Sequence, residues 1–200
     1  MSSVRDDGRR LRRAVRAALA RPQGRAPLIL IDGPSGAGKS RLADVLIACW
    51  PASGAPRLVR MDDLYPGWHG LDAGSRAVER TLLRPLRAGR SGGWRRWDWD
   101  RNRPAEWHAI AGDDPVIVEG CGALASGNAG LADLSVWLDA DGALRKERAL
   151  ARDGAVFERH WDDWQRDFVR YTARDRPRAH ADLVIDVTGW PLDVQCTIAG

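Results

Sequence analysis

Two hundred residues suit one domain, and shares of 44% apolar and 29% charged residues are those of a globular chain rather than a disordered one. No run of about 18 apolar residues occurs, so no spanning helix is expected, and the arginine-rich start lacks the apolar stretch of a secretory signal. A net charge of +4 would allow a nucleic-acid partner, but the 31 basic residues are interleaved with 27 acids and lysine stands only at 39 and 146, an imbalance of the kind GC-rich coding produces.

Residues 5–21, "RDDGRRLRRAVRAALAR", are the densest basic segment. Leu11, Val15, Ala18 and Leu19 recur at helical spacing, which predicts an amphipathic helix docked on the surface rather than a nucleic-acid arm. Residues 1–22 form this leading element, and Pro22–Pro27 is a linker. Leu28–Ile31 is an apolar, partly β-branched run readable as a buried strand, and Arg41–Cys49 follows as a helix.

Between them the spacing Gly33-x-x-x-x-Gly38-Lys39-Ser40 fits the phosphate-binding P-loop. Glycine permits backbone angles at which successive N–H groups turn inward, and the following helix start adds a favourable dipole for anions. Gly33, Pro34, Ser35, Gly36, Ala37, Gly38, Lys39, Ser40 and the adjoining Arg41 are therefore the candidate nucleotide-binding residues. Lys39 would reach the β- and γ-phosphates, and the Ser40 hydroxyl would face Mg²⁺.

Further strands are expected at 57–61, 115–120, 134–139 and 182–187. Helices are expected over Ser75–Arg87, with Pro85 disturbing its last turn, over 142–154, and over Glu158–Arg174. Gly89–Ala109, with a Gly-rich start and alternating aromatics, reads as a small antiparallel insertion or flap between the second and third core strands. The tail from Thr188 has no clear pattern. Apolar strands alternating with helices imply an α/β chain with a five-stranded parallel sheet covered on both faces.

Each candidate strand ends at an acid: Asp32, Asp62 with Asp63, Glu119, Asp139 and Asp186. Ligands of parallel sheets bind beyond the carboxyl ends of the strands. All five acids cannot serve beside a triphosphate, because crowded anions need a metal or protons. Arg145, Arg148 and Arg152 stand at i, i+3 and i+7, so one helix face is expected to present them; the plainer alternative is a solvated face paired with Glu147 and Asp153. His160, Trp164 and Phe168 share a helical stripe better explained by core packing. Cys49, Cys121 and Cys196 are far apart, odd in number and without zinc spacing; they read as thiols of a reducing, cytoplasmic compartment.

In order, "GPSGAGKS", "MDDLY", "WDW", "VIVEG" and "RKERALARD" resemble the uridine kinase-like group of P-loop kinases, to which phosphoribulokinases and pantothenate kinases are related, over approximately Pro27 to Val187. The resemblance implies a three-layer P-loop fold acting as one domain over residues 1–200, with ATP and Mg²⁺ as cofactors, a lid over 145–160, and γ-phosphate transfer to a hydroxyl of a small molecule. It makes Asp62 the general base, sets Asp63 and Tyr65 beside the substrate, has Asp98 hold acceptor hydroxyls, places Glu119 near the Mg²⁺ held by Ser40, and brings some of Arg145, Arg148 and Arg152 to the ATP phosphates; Trp68, which follows Pro66 and Gly67 after the Asp-Asp pair, is a substrate candidate from the loop's own residues. Trp97 replaces the family's tyrosine, and the base-recognition residues have no counterpart, so a nucleoside acceptor stands beside a sugar, a pantothenate-like compound or an antibiotic. A nucleotide-dependent switch remains the reading from another class. Neither oligomeric state nor ATP against GTP is legible.

Overall fold

Five short strands carry the apolar runs that the sequence marks. The structure, a computed structural model, describes residues 4–20 and 24–190. Arg21, Pro22, Cys196 and the rest of the tail beyond Trp190 lie outside the described residues. In chain order the elements are α1 (Val4–Ala20), β1 (Leu28–Asp32), α2 (Lys39–Ala48), β2 (Arg57–Arg60), α3 (Leu71–Val78), α4 (Arg84–Arg87), β3 (Gly92–Asp98), β4 (Arg103–Ile110), β5 (Val116–Glu119), α5 (Ser126–Ala129), β6 (Leu134–Asp139), α6 (Gly142–Asp175), α7 (Pro177–His180) and β7 (Leu183–Asp186).

The main sheet has the order β2-β5-β1-β6-β7, and every pairing is parallel. β1 is buried at all five residues because helices cover both faces. Alternation divides its side chains: Leu28 and Leu30 pack with α3, the hairpin and α6, whereas Ile29 and Ile31 pack with α1 and α2. Leu11, Val15 and Ala18 are the buried stripe of α1, as a docked helix requires. Register sets Arg60 opposite Glu119 and Ile31 opposite Glu119, so the carboxyl ends of β2, β5 and β1 arrive at one level.

One element differs from expectation for a physical reason. The helix expected over Ser75–Arg87 begins at Leu71, and its middle widens into a π-helical turn at Glu79–Leu83. Pro85 has no N–H to continue the ladder, and the widened turn accommodates its ring. The two helices expected over 142–154 and Glu158–Arg174 meet at a kink at Gly154, where φ is 66° and ψ −157°, and α6 denotes the pair. That conformation is nearly confined to glycine. The insertion is the antiparallel hairpin β3–β4, with a bulge between Arg95 and Trp97, anchored to the core by Trp94 and Ile110. Its glycine-rich start is a packing need, since a Cβ on Gly93 would collide with the His108 carbonyl.

At the opposite end of the sheet, Asp133 accepts from the backbone N–H of Leu28 (2.8 Å), from both terminal nitrogens of Arg25 (2.8 Å each) and from Arg87 (3.0 Å). The Arg25 and Asp133 side chains are only 6% and 3% exposed, so this pair fixes the start of β1 in a dry setting. Asp133→Ala should cost about 3–5 kcal/mol by stranding a buried guanidinium, read as a lower midpoint in urea unfolding; an unchanged midpoint would show that the pair does not anchor the strand.

Candidate nucleotide and phosphoryl-transfer site

Gly33 follows the fully buried Asp32 with φ 147°, and Gly36 and Gly38 have φ of 79° and 84°. Glycine is required at the first two for a second reason: a Cβ on Gly33 would collide with the Leu138 carbonyl, and one on Gly36 with that of Arg145. The loop turns so tightly because it sits between β6 and the start of α6. α2 then begins at Lys39.

Asp32 organises this region. Its carboxylate accepts from Gly33 N–H (2.6 Å), Gly122 N–H (3.2 Å), Leu124 N–H (2.8 Å) and the Tyr171 hydroxyl (2.6 Å). One side chain thus ties the P-loop to the turn after β5 and to α6. Burial raises its pKa, and the Tyr171 and backbone bonds oppose that rise by favouring the ionised form. A second tie runs from the Trp164 indole N–H to Ser35 Oγ at 2.9 Å.

A cavity of about 600 Å³ opens above the loop. Ser35, Gly36, Gly38, Lys39, Ser40, Arg41, Asp62, Glu119, Arg148 and Arg152 all border it, so the site brings together P-loop residues, two strand-end acids and two arginines of α6. Lys39 Nζ donates to the carbonyls of Gly33 (2.8 Å) and Pro34 (3.0 Å). Ser40 Oγ donates to Glu119 Oε1 at 2.8 Å, and Arg60 Nε lies 3.6 Å from the same oxygen. Glu119 is buried, and desolvation lifts its pKa against the pull of Lys39. Asp62 keeps solvent contact through the cavity while protein surrounds it elsewhere; desolvation raises its carboxyl too, opposed by Lys39 and Arg152. Its backbone is held by the Trp99 indole, which donates to the Asp62 carbonyl at 2.9 Å.

Several expected residues stand elsewhere. Tyr65 is 1% exposed; its hydroxyl donates to the Cys121 carbonyl at 2.7 Å, and its ring packs edge-on against Trp164, so it is a core residue. Asp98 closes the hairpin turn by accepting from Arg101 N–H and its guanidinium, both at 3.0 Å, which lowers its pKa. Trp68 stacks on His160 at 4.4 Å and meets Phe157 and Trp99 in an aromatic group outside the cavity lining. Asp63 is half-buried beside Asp62 and also outside the lining. Ala37 is in the core, and Pro34 faces away. Arg145 was expected with Arg148 and Arg152, but the α6 residues that border the cavity are Leu144, Glu147, Arg148, Ala149, Ala151 and Arg152. Arg145 is one step round the helix and donates to Ser35 O (3.2 Å) and Ala140 O (3.1 Å). Asp139 and Asp186 lie outside the lining as well.

Sequence reasoning missed Cys121, Glu147 and the supporting pair Trp164 and Tyr171. Cys121 follows Glu119 and Gly120 and was within reach of the strand-end argument; Tyr171 carried no signal. Cys121 is a buried free thiol.

No family model matches the sequence, and no curated protein matches it. Solved structures do. A possible uridine kinase from Bacillus stearothermophilus superposes with a TM-score of 0.65 at 19% identity, over 92% of this chain and 99% of that one. A candidate fructose transport system kinase from Silicibacter sp. TM1040 gives 0.60 at 21%, over 92% and 98%. The fold is that of the α/β P-loop NTPases. Its structural neighbours are consistent with the uridine kinase-like P-loop kinases.

Tyr171→Phe should destabilise the protein by about 1.5–3 kcal/mol, because a buried carboxylate loses a donor. The bond favours the ionised carboxylate, so this cost should grow as pH rises through the raised pKa of Asp32 and shrink below it. Chemical denaturation across pH checks both sign and size; a pH-independent effect would mean that Asp32 is not the group concerned.

Proposed function

We propose that the chain is an ATP-dependent kinase that transfers the γ-phosphoryl group to a hydroxyl of a small molecule, with a nucleoside as the leading acceptor. The observation that carries this reading is the convergence of Lys39, Asp62, Glu119, Arg148 and Arg152 on one cavity above the P-loop. A switch would need the loop but not the acid and arginines opposite it.

In this reading the loop amides and Lys39 hold the β- and γ-phosphates, with Lys39 exchanging its contacts to the Gly33 and Pro34 carbonyls for phosphate oxygens. Arg148 and Arg152 meet the charge on the equatorial oxygens. Asp62 accepts the proton of the acceptor hydroxyl as that oxygen bonds to phosphorus and the bond to the β-phosphate bridging oxygen breaks, releasing ADP. A carboxylate whose pKa is raised by the protein packed around it is a better base than an ordinary one. Residues 145–160 serve as the lid, with the break at Gly154 as its hinge. The whole chain acts as one P-loop domain.

Among the described residues no group of three or more histidines, cysteines or acids gathers as a metal cage. Mg²⁺ needs only one or two carboxylates beside phosphate oxygens and water, and the hard oxygens of Ser40 and Glu119, 2.8 Å apart, suit it. Bound there, the ion would neutralise charge between the β- and γ-phosphates.

A planar base is favoured by the aromatic group of Trp68, Trp99, Phe157 and His160 next to the Asp62 turn, and by the uridine kinase named among the structural neighbours. Tyr65 and Asp98, engaged in the core and in the hairpin turn, leave the first contact of the acceptor to Asp62, with Asp63 beside it outside the lining. The candidate fructose transport system kinase among the neighbours supports a sugar as the second reading. No described helix is long and apolar enough to cross a membrane, and a cytoplasmic location suits an enzyme that uses ATP on dissolved metabolites.

An ADP-release screen across nucleosides and sugars should find one class turned over, and Asp62→Asn should lower kcat for the best acceptor by roughly 10²–10⁴-fold. Retained turnover would exclude Asp62 as the base. Since the base must be ionised and its pKa is raised, kcat/KM should fall as pH drops through a value above the ordinary 3.8. A limb at or below that value would contradict the assignment.

A further inference from the structure

A second cavity, of about 560 Å³, opens beside the P-loop and shares no lining residue with the first. It is bounded by the C-terminal half of α6, by α7 and by the end of β6. Its volume falls in the range of small-molecule sites.

Its chemistry is one-sided. Arg145, Arg176 and Arg178 border it, against the single carboxylate of Asp139, which lies 3.5 Å from Arg178. Two further donors are present. The indole N–H of Trp137, on a side chain only 5% exposed, and the amide nitrogen of Gln165 are both buried without a hydrogen-bond acceptor. Both nitrogens are closed off from solvent, so they stand behind the wall rather than in it, and the charge recognition falls to the arginines. The remaining wall is apolar: Trp137 and Phe168 stack with ring centroids 6.1 Å apart, and the neighbouring Val169 is 61% exposed.

We propose that this cavity binds a small organic anion, a carboxylate or phosphate ester carried on an apolar body. The arginines meet the charge, and the apolar wall around Trp137 and Phe168 meets the apolar part, so binding is sensed at the Trp137 ring. The site is coupled to the P-loop through Arg145, whose guanidinium bonds the Ser35 and Ala140 carbonyls and borders this cavity, while Pro34 forms part of its wall. An anion that draws Arg145 away releases the Ser35 carbonyl, and with it part of the loop that cradles the nucleotide. The proposal rests on this cavity alone and does not require the kinase reading.

Arg176 supplies a clean variant. It is exposed and caps α6 with φ 45°, a left-handed conformation that glycine adopts more easily, so Arg176→Gly removes the charge without disturbing the fold. The full chain, labelled with ¹⁵N at tryptophan indoles, would be titrated with phenyl phosphate, benzoate and inorganic phosphate. The Trp137 resonance would be identified by its loss in Trp137→Phe. It should shift saturably with phenyl phosphate or benzoate, and whichever binds tighter identifies the anion. Binding should persist with Mg-ATP present, weaken at least tenfold in Arg176→Gly, and be at least tenfold weaker for inorganic phosphate. No shift at millimolar concentration, equal affinity in Arg176→Gly, loss of binding with nucleotide, or equal affinity for inorganic phosphate would each overturn the proposal.

Discussion

A single buried carboxylate carries the organisation of the site. Asp32 has no direct access to the cavity, yet its oxygens take hydrogen bonds from the first P-loop glycine, from the turn after β5 and from α6. Elements far apart in sequence are thereby referred to one point at the end of β1. Burying a carboxylate is unfavourable unless its lone pairs are satisfied, and here four donors satisfy them. Any displacement of the loop, the turn or the helix would strand that charge, so the three hold one another in place.

The cavity above is an electrostatic compromise of the same kind. Asp62 and Glu119 are both partly desolvated, and Lys39 is the leading positive group that keeps them from rising further. Lys39 itself rests on loop carbonyls. A triphosphate entering such a site would take the ammonium from those carbonyls, and a hard cation between Ser40 and Glu119 would replace the proton that desolvation favours on the glutamate. The two arginines on α6 approach from the opposite wall, on a segment whose direction changes at Gly154. Under the proposed function, binding energy for the phosphates would be divided between a rigid cradle and a jointed helix, a division that lets water be shut out after the substrates enter.

How much of this was legible in the sequence follows from how local each signal is. The P-loop, the strand-end acids and the apolar runs are short-range patterns, and they predicted the five strands, the hairpin between β2 and β5, the docked α1 and Lys39 with Ser40 in the loop, whereas the grouping of Asp62, Glu119, Arg148 and Arg152 with them rested on the family resemblance; all six border one cavity. Side-chain direction was less legible. Tyr65 stands three residues from Asp62 but turns into the core, and Asp98 was read as a ligand although its nearest donors are those of its own turn. Arg145 shows the limit of spacing arguments: i, i+3 and i+7 describe a stripe broad enough that a shift of one position carries its edge to the other side of the P-loop. The Asp32–Tyr171 bond spans 139 residues, and nothing periodic marks it.

The account stands on the claim that the loop beginning at Gly33 grips a nucleotide's phosphates with Lys39 as its cation. Isothermal titration calorimetry of Mg-ATP into the folded chain and into Lys39→Ala tests that claim most directly. A single saturable site in the unaltered chain, weakened at least tenfold in a variant with the same circular dichroism spectrum, is the expected result; no heat of binding in the unaltered chain, or equal affinity in both proteins, would contradict it.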